Sequence, residues 1–129
     1  MFPYSADTAG VVVRVAVSFI KEASDPSAGR WMWSYHIRIE NHRSETIQLI
    51  DRRWEIRDGR GATHVVEGLG VVGDQPVLEP GQSYDYVSGC PLATSSGQMV
   101  GHYGMRDSDG DAFLIAIPAF PLLAPVTSA

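Results

Sequence analysis

The stretch "VVEGLGVVGDQP", residues 65–76, decides the fold. Gly68, Gly70 and Gly73 have the spacing G-x-G-x-x-G. In a dinucleotide-binding fold that loop follows a strand and opens a helix, whose unpaired N–H groups and dipole hold a diphosphate. Here the exit is wrong. Gly73 is followed by Asp74, Gln75 and Pro76, with Pro80-Gly81 close behind, and prolines block a helix from residue 73 onward. No acidic residue about 20 positions later closes a second parallel strand. The segment therefore reads as a connection between strands, its glycines taking positive φ or allowing close backbone packing. A weaker anion-binding reading survives, because glycine-rich backbone can form a concave nest of N–H groups without a helix.

Outward from this segment the hydrophobic rhythm has a period of two. From Val11 to Ile20 the odd positions Val11, Val13, Val15, Val17 and Phe19 share a face. Trp31, Trp33, Tyr35, Ile37 and Ile39 repeat the pattern, with Ser34, His36, Arg38 and Glu40 on the reverse, so a half-buried antiparallel strand is expected. Pro26 and Gly29 mark the intervening segment as a loop. In "TIQLIDRRWEIRD", residues 46–58, Ile47 and Leu49 share one phase and Ile50, Trp54 and Ile56 the other, which predicts a β-bulge or a bend near Asp51 to Arg53.

"DGRG" at 58–61 supplies hairpin chemistry, with a return strand over 62–67. Pro80-Gly81 fits a type II turn before a strand through Tyr84 and Tyr86. Met99, Gly101, Tyr103 and Met105 share one face. "DSDGD" then turns the chain into "AFLIAIPAF", completing a hairpin. About seven short strands, regularly spaced turns and no 3.6-residue periodicity predict an all-β, antiparallel two-sheet β-sandwich of the fibronectin type III or immunoglobulin-like kind. The expected layout is an N-terminal arm (1–9), one sandwich domain (10–121) and a proline-rich tail (122–129), with "PLLAPVTSA" outside regular structure.

Composition bounds the function. The chain has 129 residues, 44% of them hydrophobic, enough for one core. Ten Lys and Arg against fifteen Asp and Glu leave a formal net charge of −5, which argues against a nucleic-acid binder. The single cysteine, Cys90, excludes an internal disulfide, as in a reducing cytosol. No apolar run reaches the roughly 20 residues that span a bilayer, and the first ten residues lack a signal-peptide layout. A cytoplasmic location is the expectation.

Several residues could carry chemistry. Of the four histidines, His36 and His42 would stand roughly 20 Å apart on a straight strand, too far to share a metal. Asp107, Asp109 and Asp111 resemble the start of a calcium loop, but Gly110 is misplaced and the twelfth position is Pro118, so a hairpin turn is expected instead. Cys90 and the pair Ser95-Ser96 stand outside any strand-to-helix elbow. Cys90 reads as a small buried apolar residue. No cofactor and no metal ligand set is predicted.

The run "VEGLGVVGDQPVLEPGQSYDYVSG", preceded by "IQLIDRRWEI" and followed by "GQMVGHYGM" and "AFLIAIPAF", closely resembles the bacterial ApaG family over roughly residues 10–121. The resemblance implies a fibronectin-type-III-like sandwich. It also implies a kinship with domains of eukaryotic F-box proteins and of a polymerase-interacting protein, where the domain contacts other proteins. The family is associated with cobalt and magnesium resistance or efflux, and its gene often neighbours that of a diadenosine tetraphosphate hydrolase. The glycine pattern matches at Gly68, Gly70 and Gly73, as does Arg52-Arg53-Trp54. Leu69 departs from it, since a charged residue or proline is commoner there, and so does Cys90, where a small residue or threonine is usual.

Three function classes follow. The favoured one is a non-enzymatic protein-interaction module with an indirect role in cobalt or magnesium resistance, for which Trp54 and the apolar Leu69 are the contact candidates. The alternative is an anion or nucleotide binder, with the backbone of Gly68, Gly70 and Gly73 as nest and Arg52 or Arg53 as counter-charge. A hydrolase ranks third. Exposed edge strands would also permit an edge-to-edge homodimer, unless charge or proline protects them.

Overall fold

The computed structural model describes residues 1–125. In chain order its strands are β1 (Tyr4–Thr8), β2 (Val11–Phe19), β3 (Trp31–Asn41), β4 (Ile47–Asp58), β5 (Thr63–Leu69), β6 (Val77–Leu78), β7 (Ser83–Leu92), β8 (Ser96–Arg106) and β9 (Ala112–Leu123). All pairings are antiparallel. One sheet has the order β1-β2-β3-β7; the other runs β5-β4-β8-β9, with β6 added beside the start of β4. The two sheets pack into the expected sandwich.

Alternation builds the core as anticipated. Val11, Val13 and Val15 of β2 and Trp33, Ile37 and Ile39 of β3 are buried against Leu49, Trp54, Tyr103, Ile115 and Phe120 of the opposite sheet. The phase switch in β4 is real, and falls slightly earlier than expected: the β4–β8 register shifts between Leu49 and Asp51. Leu49 faces the core before the bulge, and Arg52, Trp54 and Ile56 share the inner face after it. Buried Asn41 closes β3. Its side-chain amide donates to the carbonyls of Glu45 and Leu78, both at 2.9 Å, tying the strand end to β6.

The described residues hold nine strands rather than about seven. Tyr4–Thr8, expected within an arm, pairs residue for residue with β2 from Tyr4↔Val15 to Thr8↔Val11. The strand is short and mostly polar, so its alternation is hidden in the sequence. The tail also needs correction, because β9 continues through Pro121 to Leu123, with Leu122 wholly buried. Proline is tolerated there because β9 is the last strand of its sheet. The remaining tail residues, 126–129, lie outside the described residues.

Candidate interaction site

The glycine segment forms a strand end and a tight turn. Gly68 lies in β5 opposite Arg52. The N–H of Gly70 donates to Ile50 O at 2.8 Å. Val71 and Asp74 then exchange both backbone hydrogen bonds, at 2.8 and 2.9 Å, around Val72 (φ 47°) and Gly73 (φ 84°). Two successive positive φ values are the signature of a type I′ turn, and no helix starts here. The N–H groups of Gly70, Val71 and Asp74 are thus spent within the protein and do not converge on an external anion.

The two candidate arginines separate. They are neighbours on a strand, so they point to opposite faces. Arg53 lies on the outer face, within 3.3 Å of Glu67 and 3.5 Å of Glu55. Arg52 turns inward, where its Nη1 donates to the carbonyls of Leu69 (3.1 Å) and Gly70 (2.8 Å), and its guanidinium lies directly over Gly68. A Cβ at Gly68 would meet Arg52 Nη1 at 2.9 Å, so any larger residue there would displace the guanidinium. No carboxylate among the described residues forms an ion pair with Arg52.

Arg52 stands in a groove of about 380 Å³ between the edge strands β5 and β7. Tyr35, Trp54, Val66 and Leu92 give it mostly apolar walls, His64 joins Arg52 as a second basic side chain, and Asp58 is the one carboxylate in the lining. Trp54 is only 3% exposed and packs edge-on against Tyr35 and Phe120, with ring centroids 5.4 and 5.9 Å away. It shapes the floor and is no protruding contact residue. Leu69 does protrude, 74% exposed at the end of β5. Sequence reasoning missed Tyr35, His64 and Val66 as groove residues. Their signal was parity: each shares the inward phase of its strand.

Behind the groove lies a layer of buried hydroxyls. Tyr86 and Tyr103 oxygens are 2.5 Å apart, and Tyr103 is wholly buried. Burial pushes the hydroxyls of Tyr35, Tyr86 and Tyr103 above their ordinary range, while the Arg52 charge opposes that push at all three. Cys90, also in the groove wall, is 3% exposed, and burial raises its thiol to about 11. It is a neutral, packed thiol at neutral pH.

The other constellations sit elsewhere. His36 of β3 pairs with Asp85 of β7, and His42, just past the end of β3, with Glu40, each at 2.9 Å and exposed. Asp107, Asp109 and Asp111 form the β8–β9 turn, where Asp107 Oδ1 accepts the N–H groups of both other aspartates at 2.9 Å.

Fold and site together define a small antiparallel β-sandwich protein with an arginine-bearing, largely apolar groove along one open side. Comparison with known proteins narrows the class. The ApaG domain model matches residues 21–107. Protein ApaG of Mesorhizobium japonicum is 52% identical over 124 residues, covering 96% of this chain and 95% of that one. Protein ApaG of Brucella canis is 52% identical over 122 residues, with 95% and 94% covered. The crystal structure of a Bordetella pertussis protein described as ApaA superposes with a TM-score of 0.87 at 42% identity, covering 91% of this chain and 95% of that one. The chain belongs to the ApaG family.

Proposed function

We propose that this protein is a non-enzymatic protein-interaction module of the cytoplasm that docks a partner along the β5 side of the sandwich. The observation that carries this reading is the exposure of β5 itself. Of its seven residues only Gly68 is not exposed, and Val65, Val66 and Leu69 are among those facing solvent. Three large apolar side chains on one uncovered strand are costly unless a partner covers them. The groove beneath supplies a concave, mostly apolar surface beside them.

The chemistry of the remaining residues supports the non-enzymatic side of the proposal. The one thiol is held neutral by burial, and the close histidine–carboxylate pairs are exposed. An effect on cobalt or magnesium resistance would then act through the partner. The anion-binding alternative retains one favourable observation, the Arg52 charge without a carboxylate. Against it stand the spent N–H groups of the glycine turn and the opposite facing of Arg53.

The test is affinity capture with the whole protein as bait, in parallel with Leu69→Asp. A stoichiometric partner retained by the wild type and lost by the variant is the expected result. A bait that enriches nothing sinks the interaction reading. Titration with inorganic diphosphate decides the alternative, since ligand at 100 times Kd would stabilise the fold by about 2.7 kcal/mol.

A further inference from the structure

The hydrogen-bond alternation of β5 identifies which of its backbone groups are free. Gly70 donates to Ile50 O, and Asp58 donates to Ala62 O, so the even-numbered residues opposite β4 exchange the ladder bonds. In an antiparallel pair the intervening residues turn their N–H and C=O groups the other way. The outward groups therefore belong to Thr63, Val65, Glu67 and Leu69, on a strand that ends its sheet, and of these the Leu69 carbonyl already accepts from Arg52 Nη1 at 3.1 Å.

This edge lacks the usual protection. β5 contains no lysine, no proline and no register shift against β4, and Glu67 is its one acidic residue. The other sheet ends differ. β1 and β9 pack on each other, and the Ala116 N–H donates to Thr8 Oγ1 at 3.1 Å. β7 carries Pro91, and β9 carries Pro118 and Pro121. An unblunted edge of seven residues amid defended ones is a template for strand addition.

The groove indicates what kind of strand fits. The inward positions of an added strand would lie opposite His64, Val66 and Gly68, above the groove. Opposite Gly68 no side chain intervenes, and the Arg52 guanidinium already lies over that glycine without an anionic partner. An acidic side chain at that position would form a charge-assisted hydrogen bond in a partly dry setting. Two residues further along, opposite Val66, the walls ask for an apolar side chain.

We propose that the free edge of β5 accepts an extended segment of a partner protein as an added strand, with an acidic side chain meeting Arg52 across Gly68 and an apolar one two residues away entering the groove. The inference deepens the interaction reading and rests on it. A second copy of this chain fits less well. Two β5 edges paired about a twofold axis would offer the groove only His64, Val66 and Gly68, none of them acidic. Centring that pairing on Glu67 would set like charges face to face.

The test begins with a phage-displayed library of linear peptides selected on the intact protein. The enriched sequences are expected to place Asp or Glu two residues from an apolar side chain in a run free of proline. The best peptide, made synthetically, should protect the amides of Thr63, Val65, Glu67 and Leu69 from hydrogen exchange. N-methylation of its alternate amides should abolish binding. Replacing its acidic residue by the amide should weaken binding at least about tenfold. In Arg52→Met the acidic and amide peptides should bind alike.

Peptides that protect other amides, tolerate N-methylation or show no acidic preference overturn the proposal, as does a library that yields no consensus. A concentration-dependent dimer protecting the same four amides overturns it in favour of a second copy. Val65→Pro removes one outward N–H while leaving the β4 ladder intact. If that variant still captures the cellular partner, strand addition fails while the interaction reading stands; capture of no partner by the wild type removes the reading itself.

Discussion

Val72→Asn tests the turn that replaces the cofactor loop. Val72 is a β-branched residue held at φ 47°, in the left-handed region where its Cβ crowds the following carbonyl. Such a conformation costs roughly 1–2 kcal/mol for an L-residue. Asparagine tolerates it, and Asn-Gly is the preferred pair for a type I′ turn. The substitution forfeits little packing, because Val72 is 64% exposed. Subtracting about 0.5 kcal/mol for the buried third of the side chain leaves a gain of about 0.5–1.5 kcal/mol. For a chain of this size that corresponds to a rise in Tm of roughly 2–6 °C. Urea unfolding followed by tryptophan fluorescence, with an unchanged m-value, measures it. An unchanged or lowered midpoint would refute the turn assignment, since a nest or an open loop would not reward Asn-Gly. A stabilised variant that loses its partner would show instead that the strain is kept for recognition.

Other expectations follow from neighbouring geometry. Tyr86→Phe leaves the buried Tyr103 hydroxyl without its partner and should cost about 1–3 kcal/mol, whereas Tyr86→Phe with Tyr103→Phe should cost less than the two single changes added; a double-mutant cycle in urea reads the coupling. Cys90, its thiol raised by burial to about 11, should react with an aromatic disulfide reagent at pH 8 roughly 100-fold more slowly in the folded protein than in denaturant. Hydrogen bonds from Arg14 and then His42 hold the Glu40 carboxyl below its ordinary 4.5, so its stabilisation is complete above that value and is lost as pH falls through the lower folded one. Glu40→Gln should therefore flatten the acid limb of a stability–pH profile below about pH 4.5.

Much of the fold is legible because a half-buried antiparallel strand writes its orientation into alternate residues. Val11 to Phe19 and Trp31 to Ile39 could be assigned face by face, and the disagreement between Leu49 and Trp54 announced the bulge in β4. Legibility ends where that period is absent. Tyr4–Thr8 is too polar to display it, and β5 reads Thr-His-Val-Val-Glu-Gly-Leu, without alternation, because it has solvent on nearly every side. That missing alternation is itself information: a strand with valines on both faces and no protecting lysine or proline is an edge that expects company.

The candidate site was only half visible for a related reason. Arg52 and Arg53 look like a basic pair in one dimension, yet Arg52 shares its parity with Trp54 and Ile56, so a strand must send it inward and Arg53 outward. Once the bulge has set the phase, an anion clamp made from both is geometrically excluded. What sequence parity does not supply is the role left to Arg52. Its Nη1 holds the carbonyls of Leu69 and Gly70, fixing the end of β5 to the strand beside it, while among the described residues no carboxylate forms an ion pair with it in a groove whose walls are mostly apolar. The tyrosine hydroxyls behind it offer only dipoles, whereas a carboxylate would add a charge-assisted hydrogen bond. The arrangement gains stability when a carboxylate arrives along β5, so the residue that orders the edge also sets its preference for what the edge receives.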